Sequence, residues 1–373
     1  MARYNRNMTD DERKAYRKKK RLIRKIQVYS EIAIISLLII VSAGLIITHF
    51  NGNKDKHSVA KEETKKESLE TASKEEDSGL KVSAKADEPE PTERVEEEET
   101  PKSAAYSAKE NDATVNIEGD VVSSNAVLIN NKTKEIIATR SAHDRIVPAS
   151  MTKVMTVLTA ANHLSKEQLN EVVAMSHEAV DYSYAGGGST SGFVEDEEVT
   201  VKDLFYGTIL PSGGDAAAQL AMYVAGDIDS FVALMNEDAA AMGLTDSHFT
   251  NPVGFYNDNH YSSPYDISII MMAALDNELC KEVLSTKVYN STGTNVNPEG
   301  ITISNWFLRR IEDKDIGGEI EGAKTGFVNE SGNCAVSSMI SASGTEYICC
   351  TANSTSSWRC IYDHVAIYKA YAK

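Results

Sequence analysis

Pro148-Ala149-Ser150-Met151-Thr152-Lys153 is the stretch on which the reading of this chain turns. From Met151 to about residue 163 the apolar residues Met151, Val154, Met155 and Leu158 form the one-sided stripe of a helix packed on a core. Ser150 and Lys153 stand three places apart, so on a helix they share a face and the lysine amine comes to the serine hydroxyl. Ser150 lies at the helix start, where unpaired backbone N–H groups and the helix dipole favour developing negative charge. A lysine held neutral by burial or by a neighbouring cation is a competent base for such a serine. The S-x-x-K pattern alone is weak evidence. Ser58-Val59-Ala60-Lys61 repeats it with no helix or core around it, and an ordinary helix cap is the competing account of Ser150 taken by itself.

Two further stretches change that balance. Ser212 lies in Leu210-Pro211-Ser212-Gly213-Gly214-Asp215, a loop that opens a helix expected over 215–224. Lys324-Thr325-Gly326 leads into a hairpin near the chain end. A cation and a hydroxyl on a strand edge suit a substrate carboxylate, and the glycine permits close backbone approach. Around these motifs, strands are expected at 126–129 and 136–139, flanking Asn130-Asn131-Lys132-Thr133, and at 334–340 and 347–352, flanking Ser343-Gly344. Helices are expected at 231–242, at 358–371, and from Ser263-Pro264 to about 279, where Asp266 completes the start signal. Strands near both ends with helices between them predict an α/β (α+β) domain whose sheet is closed by both chain termini.

The ordered set of S-x-x-K, a second serine loop and K-T-G is that of penicillin-binding proteins and class A β-lactamases. Pro148–Lys153 and Glu321-Gly322-Ala323-Lys324-Thr325-Gly326-Phe327 resemble the serine D-Ala-D-Ala carboxypeptidases, the low-molecular-mass penicillin-binding proteins of peptidase family S11. So do His248-Phe249-Thr250-Asn251-Pro252-Val253-Gly254 and His260-Tyr261-Ser262. The resemblance covers about 113–373. It implies the serine β-lactamase/DD-peptidase (transpeptidase)-like fold, an antiparallel sheet flanked by helices with a helical subdomain. It also implies that Ser150 attacks the carbonyl between two D-alanines with help from Lys153, that Ser212 or Lys153 protonates the departing D-Ala, and that water hydrolyses the acyl-enzyme. Lys324 and Thr325 would hold the terminal carboxylate. The backbone N–H groups of Ser150 and Phe327, beside Gly326, would form the oxyanion hole. β-Lactams would then be covalent inhibitors.

One position departs from the family pattern. Relatives carry S-x-N, and Gly214 stands where the asparagine belongs, removing an amide expected to contact Lys153 and the substrate backbone. Water filling the gap and reduced activity are both consistent with that change. A catalytically silent peptidoglycan-binding relative is the alternative, and a β-lactamase is disfavoured because no E-x-x-L-N comes after Ser212.

The remaining features set the context. The chain has 373 residues, 42% of them hydrophobic, and a net charge of −17 that is distributed in blocks. Residues 1–31 are strongly basic, and 32–50 contain no Asp, Glu, Lys or Arg. At about 1.5 Å rise per residue the second segment nearly crosses a bilayer core. The basic block before it keeps the N-terminus in the cytoplasm and exports the chain beyond residue 50. An uncleaved anchor is therefore expected rather than a signal peptide, because the apolar and basic regions are both long and no clear A-x-A site comes after them. This position also argues against a nucleic-acid partner for the basic block. Residues 51–112, rich in Lys, Glu, Ser, Thr, Ala and Pro, read as a charged, disordered stalk. Five cysteines leave at least one unpaired, and Cys349-Cys350 point to opposite faces of a strand as packing residues. No histidine pattern matches a zinc site, so no metal or cofactor is expected. Glu195-Asp196-Glu197-Glu198 reads as a solvated acidic loop, and Gly186-Gly187-Gly188 as a flexible turn near the site.

Overall fold

The computed structural model describes residues 106–373. The basic segment 1–31, the expected membrane helix 32–50 and most of the stalk lie outside the described residues. Among the described residues no helix is long and apolar enough to cross a membrane.

Three strands open the folded body: β1 (Val115–Asn116), β2 (Asn125–Asn130) and β3 (Glu135–Arg140). Ordered pairing begins before them, in the last residues that composition assigns to the stalk. Lys109 donates its N–H to the Lys134 carbonyl at 3.0 Å and accepts from Ile136 N–H at 2.9 Å. Ala108 is buried beneath Tyr265, whose hydroxyl accepts from the Ala108 N–H. Backbone pairing of this kind uses no distinctive side chains, so composition cannot register it.

A single 3-10 turn (Ala149–Met151) then leads into α1 (Thr152–His163). The helical body continues with β4 (Val172–Ala174), α2 (His177–Ala185), β5 (Glu198–Thr200), α3 (Val201–Ile209), α4 (Gly214–Ala225) and α5 (Ile228–Ala241). The helix expected from Pro264 to 279 is two helices, α6 (Pro264–Asp276) and α7 (Glu278–Ser285). Ser263 caps α6 by accepting from Asp266 N–H, with Pro264 in the first turn. Asn277 leaves the helical conformation, and its side chain accepts from the N–H groups of Leu279 and Cys280, so it caps a new helix where periodicity alone shows a continuous one. The chain closes with β6 (Val288–Asn290), β7 (Thr302–Ser304), α8 (Trp306–Ile311), β8 (Gly318–Val328), β9 (Gly332–Ser341), β10 (Glu346–Ser354) and α9 (Ser357–Tyr371).

The main sheet has the order β1-β3-β2-β10-β9-β8. Every pair is antiparallel except the short β1–β3 contact. The β2–β10 pairing joins the two ends of the folded chain, as the strand positions predict. Side chains alternate across it. Leu128 and Cys349 face a core built with α8 and α9 (Phe307, Ile361, Tyr368), while Val127 and Cys350 face a larger core built with α1 and α6 (Val154, Met155, Ile270). All five cysteines are buried and free. The sheet is thus the middle of three layers, and β8 is its edge, leaving the outer backbone groups of Lys324–Val328 without a strand partner.

The acidic segment behaves differently from its expected solvated loop. Glu197 is fully buried, accepting from Val194 N–H, the Thr294 hydroxyl at 2.6 Å and the Asn297 amide at 2.7 Å. The last two partners lie about a hundred residues away in sequence, so local charge density could not reveal it. Among the described residues no cluster of three or more His, Cys, Asp or Glu is arranged to hold a metal.

Candidate active site

The start of α1 is held in a strained turn against the edge of the sheet. Ala149, just before Ser150, takes a left-handed φ of 46°, a conformation costing a non-glycine residue about 1–2 kcal/mol. Two glycines hold this turn in place. A Cβ on Gly326 of β8 would stand 3.0 Å from Ser150 N, and one on Gly254 would stand 1.8 Å from the Ala149 carbonyl oxygen. The backbone of β8 and the 251–255 loop therefore press directly on the nucleophile's turn.

Lys153 lies one helical step below Ser150 and is 2% exposed. Its Nζ donates to Ser150 Oγ at 3.0 Å and to the Val253 carbonyl at 2.7 Å. Burial, with the nearby Lys324 adding to it and Asp215 opposing it, holds the Lys153 amine well below the ordinary lysine range. Asn251 places the Val253 carbonyl: its Oδ1 accepts from the N–H groups of Val253, Gly254 and Phe255, and its amide donates to the Phe255 carbonyl. Beneath it His260 Nδ1 accepts from Thr250 N–H, which leaves Nε2 to donate to Thr152 Oγ1. Burial pulls the His260 ring down to about 3, so this strut is neutral.

Ser212 joins from the opposite wall, also with a left-handed φ, 63°. Lys324 of β8 donates to Ser212 Oγ at 2.8 Å and to the Thr325 carbonyl at 2.8 Å. It too is 2% exposed, and burial draws it down to about 7. Asp215, which accepts from Ser191 N–H and Oγ and from Ala216 N–H, fixes the loop before α4.

The two Ser–Lys pairs open on one cleft of about 440 Å³ lined by Ser150, Lys153, Ser212, Gly214, Thr325, Gly326 and Phe327. Of the eight residues singled out from sequence, only Lys324 does not line it. That lysine lies beneath the surface, directly under the cleft wall, with its amine donating to Ser212 and to the Thr325 carbonyl. Gly214 packs against Ser183. A Cβ there would meet Ser183 Oγ at 2.8 Å, and Gly214 N–H donates to the Ser189 carbonyl at 2.8 Å. Ser183, whose hydroxyl donates to that same carbonyl, occupies the neighbouring space. Lys153 keeps two partners without the missing amide.

The triglycine turn expected near the site lines the cleft, with Phe255 beside it. The triglycine turn wraps the Phe255 ring so closely that a Cβ on Gly186 would stand 2.2 Å from it, which explains a glycine there. Cys334, Trp306 and Arg310 also line the cleft. They come from segments with no motif, and only the fold brings them to it.

Comparison with known proteins identifies the family and the fold. Residues 109–354 match the model of a family described as D-alanyl-D-alanine carboxypeptidase, Peptidase_S11. The chain is 32% identical over 215 residues to D-alanyl-D-alanine carboxypeptidase DacF of Bacillus subtilis, covering 57% of this chain and 53% of that protein. It is also 32% identical over 216 residues to a D-alanyl-D-alanine carboxypeptidase of Streptomyces sp. strain K15, covering 56% and 73%. The alignment thus spans about half the length of the Bacillus protein. The crystal structure of the Streptomyces K15 DD-transpeptidase superimposes with a TM-score of 0.62 at 28% identity, covering 68% of this chain and 99% of that one. The fold is that of the DD-peptidases, and the chain belongs to the D-alanyl-D-alanine carboxypeptidase family S11.

Proposed function

We propose that this protein removes the terminal D-Ala from peptidoglycan stem peptides through an acyl-enzyme on Ser150. The observation that carries the reading is the pairing of two serines with two buried lysines around one cleft. Lys153, held toward its neutral form, takes the Ser150 proton as Oγ bonds to the carbonyl carbon between the two D-alanines. The oxyanion accepts from the Ser150 N–H and from Phe327 N–H on the open edge of β8, donors commonly worth about 3–4 kcal/mol each. The C–N bond then breaks, and the proton passes from Lys153 through the Ser212 hydroxyl to the leaving amine. Water adds to the acyl carbon and returns a proton through Lys153, freeing Ser150. Lys324 positions Ser212 for the transfer. β-Lactams enter the same first step and remain attached. The basic and apolar segments before the folded body support a single-pass anchor with the catalytic body on the outer face of the cytoplasmic membrane.

The test is release of free D-Ala from a pentapeptide, together with labelling by a fluorescent penicillin. Wild-type protein should do both, and Ser150→Ala neither. A folded wild-type protein that neither labels nor releases D-Ala would instead be a silent wall-binding relative.

A further inference from the structure

Four glycines, Gly186, Gly187, Gly188 and Gly214, leave much of the cleft wall that carries Ser212 without side chains. Two side-chain hydroxyls remain on that wall, those of Ser189 and Ser212. The Ser212 oxygen is occupied, accepting from Lys324 at 2.8 Å. Ser189 is exposed, and among the described residues neither its Oγ nor its N–H has a hydrogen-bond partner.

The serine is nevertheless held firmly. Its carbonyl accepts from the Ser183 hydroxyl at 2.8 Å and from Gly214 N–H at 2.8 Å. From the other side Phe255 presses on the turn: a Cβ on Gly188 would stand 2.9 Å from that ring and 3.1 Å from Ser183 Oγ. Two bonds to one carbonyl and a ring packed against the preceding residues fix Ser189 directly beside Gly214. Gly214 stands where the S-x-N pattern places an asparagine. A Cβ at 214 would meet Ser183 Oγ at 2.8 Å, so with Ser183 in place this wall has no room for that side chain.

The direction of the substrate backbone gives the free hydroxyl an object. A reacting carbonyl that accepts from Ser150 N–H and Phe327 N–H points to the start of α1 and the edge of β8. In an extended peptide successive carbonyls point in opposite directions, so the carbonyl one residue upstream points away from β8, to the wall of Ser189 and Gly214. We propose that the Ser189 hydroxyl donates to this upstream carbonyl, taking the place of the amide that Gly214 lacks. The group recognised is an acylated amine next to the reacting carbonyl, as in a longer peptide or in the acylamino side chain of a penicillin. The inference rests on the peptidase reading above.

The experiment uses the full chain and two β-lactams that share one reacting ring system. Benzylpenicillin carries the acylamino carbonyl, and 6-aminopenicillanic acid does not. Ser189→Ala should lower the second-order acylation rate with benzylpenicillin by about tenfold, the effect of leaving one carbonyl without its donor, and leave 6-aminopenicillanic acid within about twofold. Ser189→Gly, a second way of removing the hydroxyl, should repeat that pattern. Ser189→Thr, which keeps the hydroxyl, should restore the benzylpenicillin rate to within about threefold of wild type. Both compounds react at Ser150, so damage to the fold would lower both rates together. Equal loss on the two compounds, or no loss on either, overturns the proposal. A wild-type protein acylated by neither compound tells against the peptidase reading instead.

Discussion

Gly254→Ala tests whether the nucleophile's turn is held by packing from the 251–255 loop. Gly254 has a φ of 84°, so an alanine there meets left-handed strain of about 1 kcal/mol. Its Cβ would also stand 1.8 Å from the Ala149 carbonyl oxygen, whereas ordinary contact begins at 3.4 Å. One of the two backbones must therefore move by 1.6 Å (3.4 − 1.8). Backbone displacement by overpacking costs about 1–3 kcal/mol, so the variant should lose about 2–4 kcal/mol in all. At roughly 2–4 °C per kcal/mol this is a fall in Tm on the order of 10 °C. Because the carbonyl that must yield belongs to the residue before Ser150, acylation should slow by about 10²-fold, the effect of a displacement near 1 Å at a reacting group. The control is Gly344→Ala, in the β9–β10 turn. It has a φ of 80° and nothing within 4 Å of the added Cβ, so it should show only the conformational cost and normal acylation. Calorimetry and stopped-flow acylation by a chromogenic penicillin measure both quantities. If Gly254→Ala melted like Gly344→Ala and acylated at the wild-type rate, the account of the turn would be wrong.

Three further outcomes rest on the same geometry. Protonation of Lys153 removes its role as a base, so the acylation rate should fall as pH drops through its depressed pKa, and Lys153→Ala should abolish that limb and cost about 10²–10⁴-fold. His260 and His364 are buried neutral, their rings pulled down to about 3 and about 4 mainly by burial. Below about pH 6.5 the unfolded chain binds protons that the native state refuses, so stability falls with acidification, each histidine contributing about 2 kcal/mol of loss by pH 5. Asp266, raised to about 6 by burial, acts in the opposite direction, its contribution lost as pH rises through that value. Urea unfolding should therefore show a net loss between pH 7 and 5 that shrinks in a His364→Gln variant, and a slope unaltered by that change would contradict it. Asn277→Ala removes the acceptor for two N–H groups at the α6–α7 junction and should cost about 1 kcal/mol with acylation unchanged. Unchanged stability would mean that the cap is not what divides the two helices.

The order of motifs along the chain determined the family, the sheet closed by both termini, and the identity of Ser150, Lys153, Ser212 and Lys324. These are readable because hydrophobic period, turn residues and short spacings on a helix are local properties: i and i+3 meet on any helix, whatever surrounds it. The break at Asn277 was hidden because the apolar pattern of α6 runs on smoothly, and only the cap geometry shows that the backbone leaves the helix. Burial of Glu197, capture of the Lys324 amine by Ser212, filling beside Gly214 by Ser183, and the meeting of the Arg310 guanidinium with the rings of Trp306 and Trp358 depend on residues brought together by the fold. Sequence separation carries no information about which charge is sealed from water and which stays exposed to a ligand. Tertiary packing decides that, because desolvation and hydrogen-bond partners both depend on what lies within a few ångströms in space.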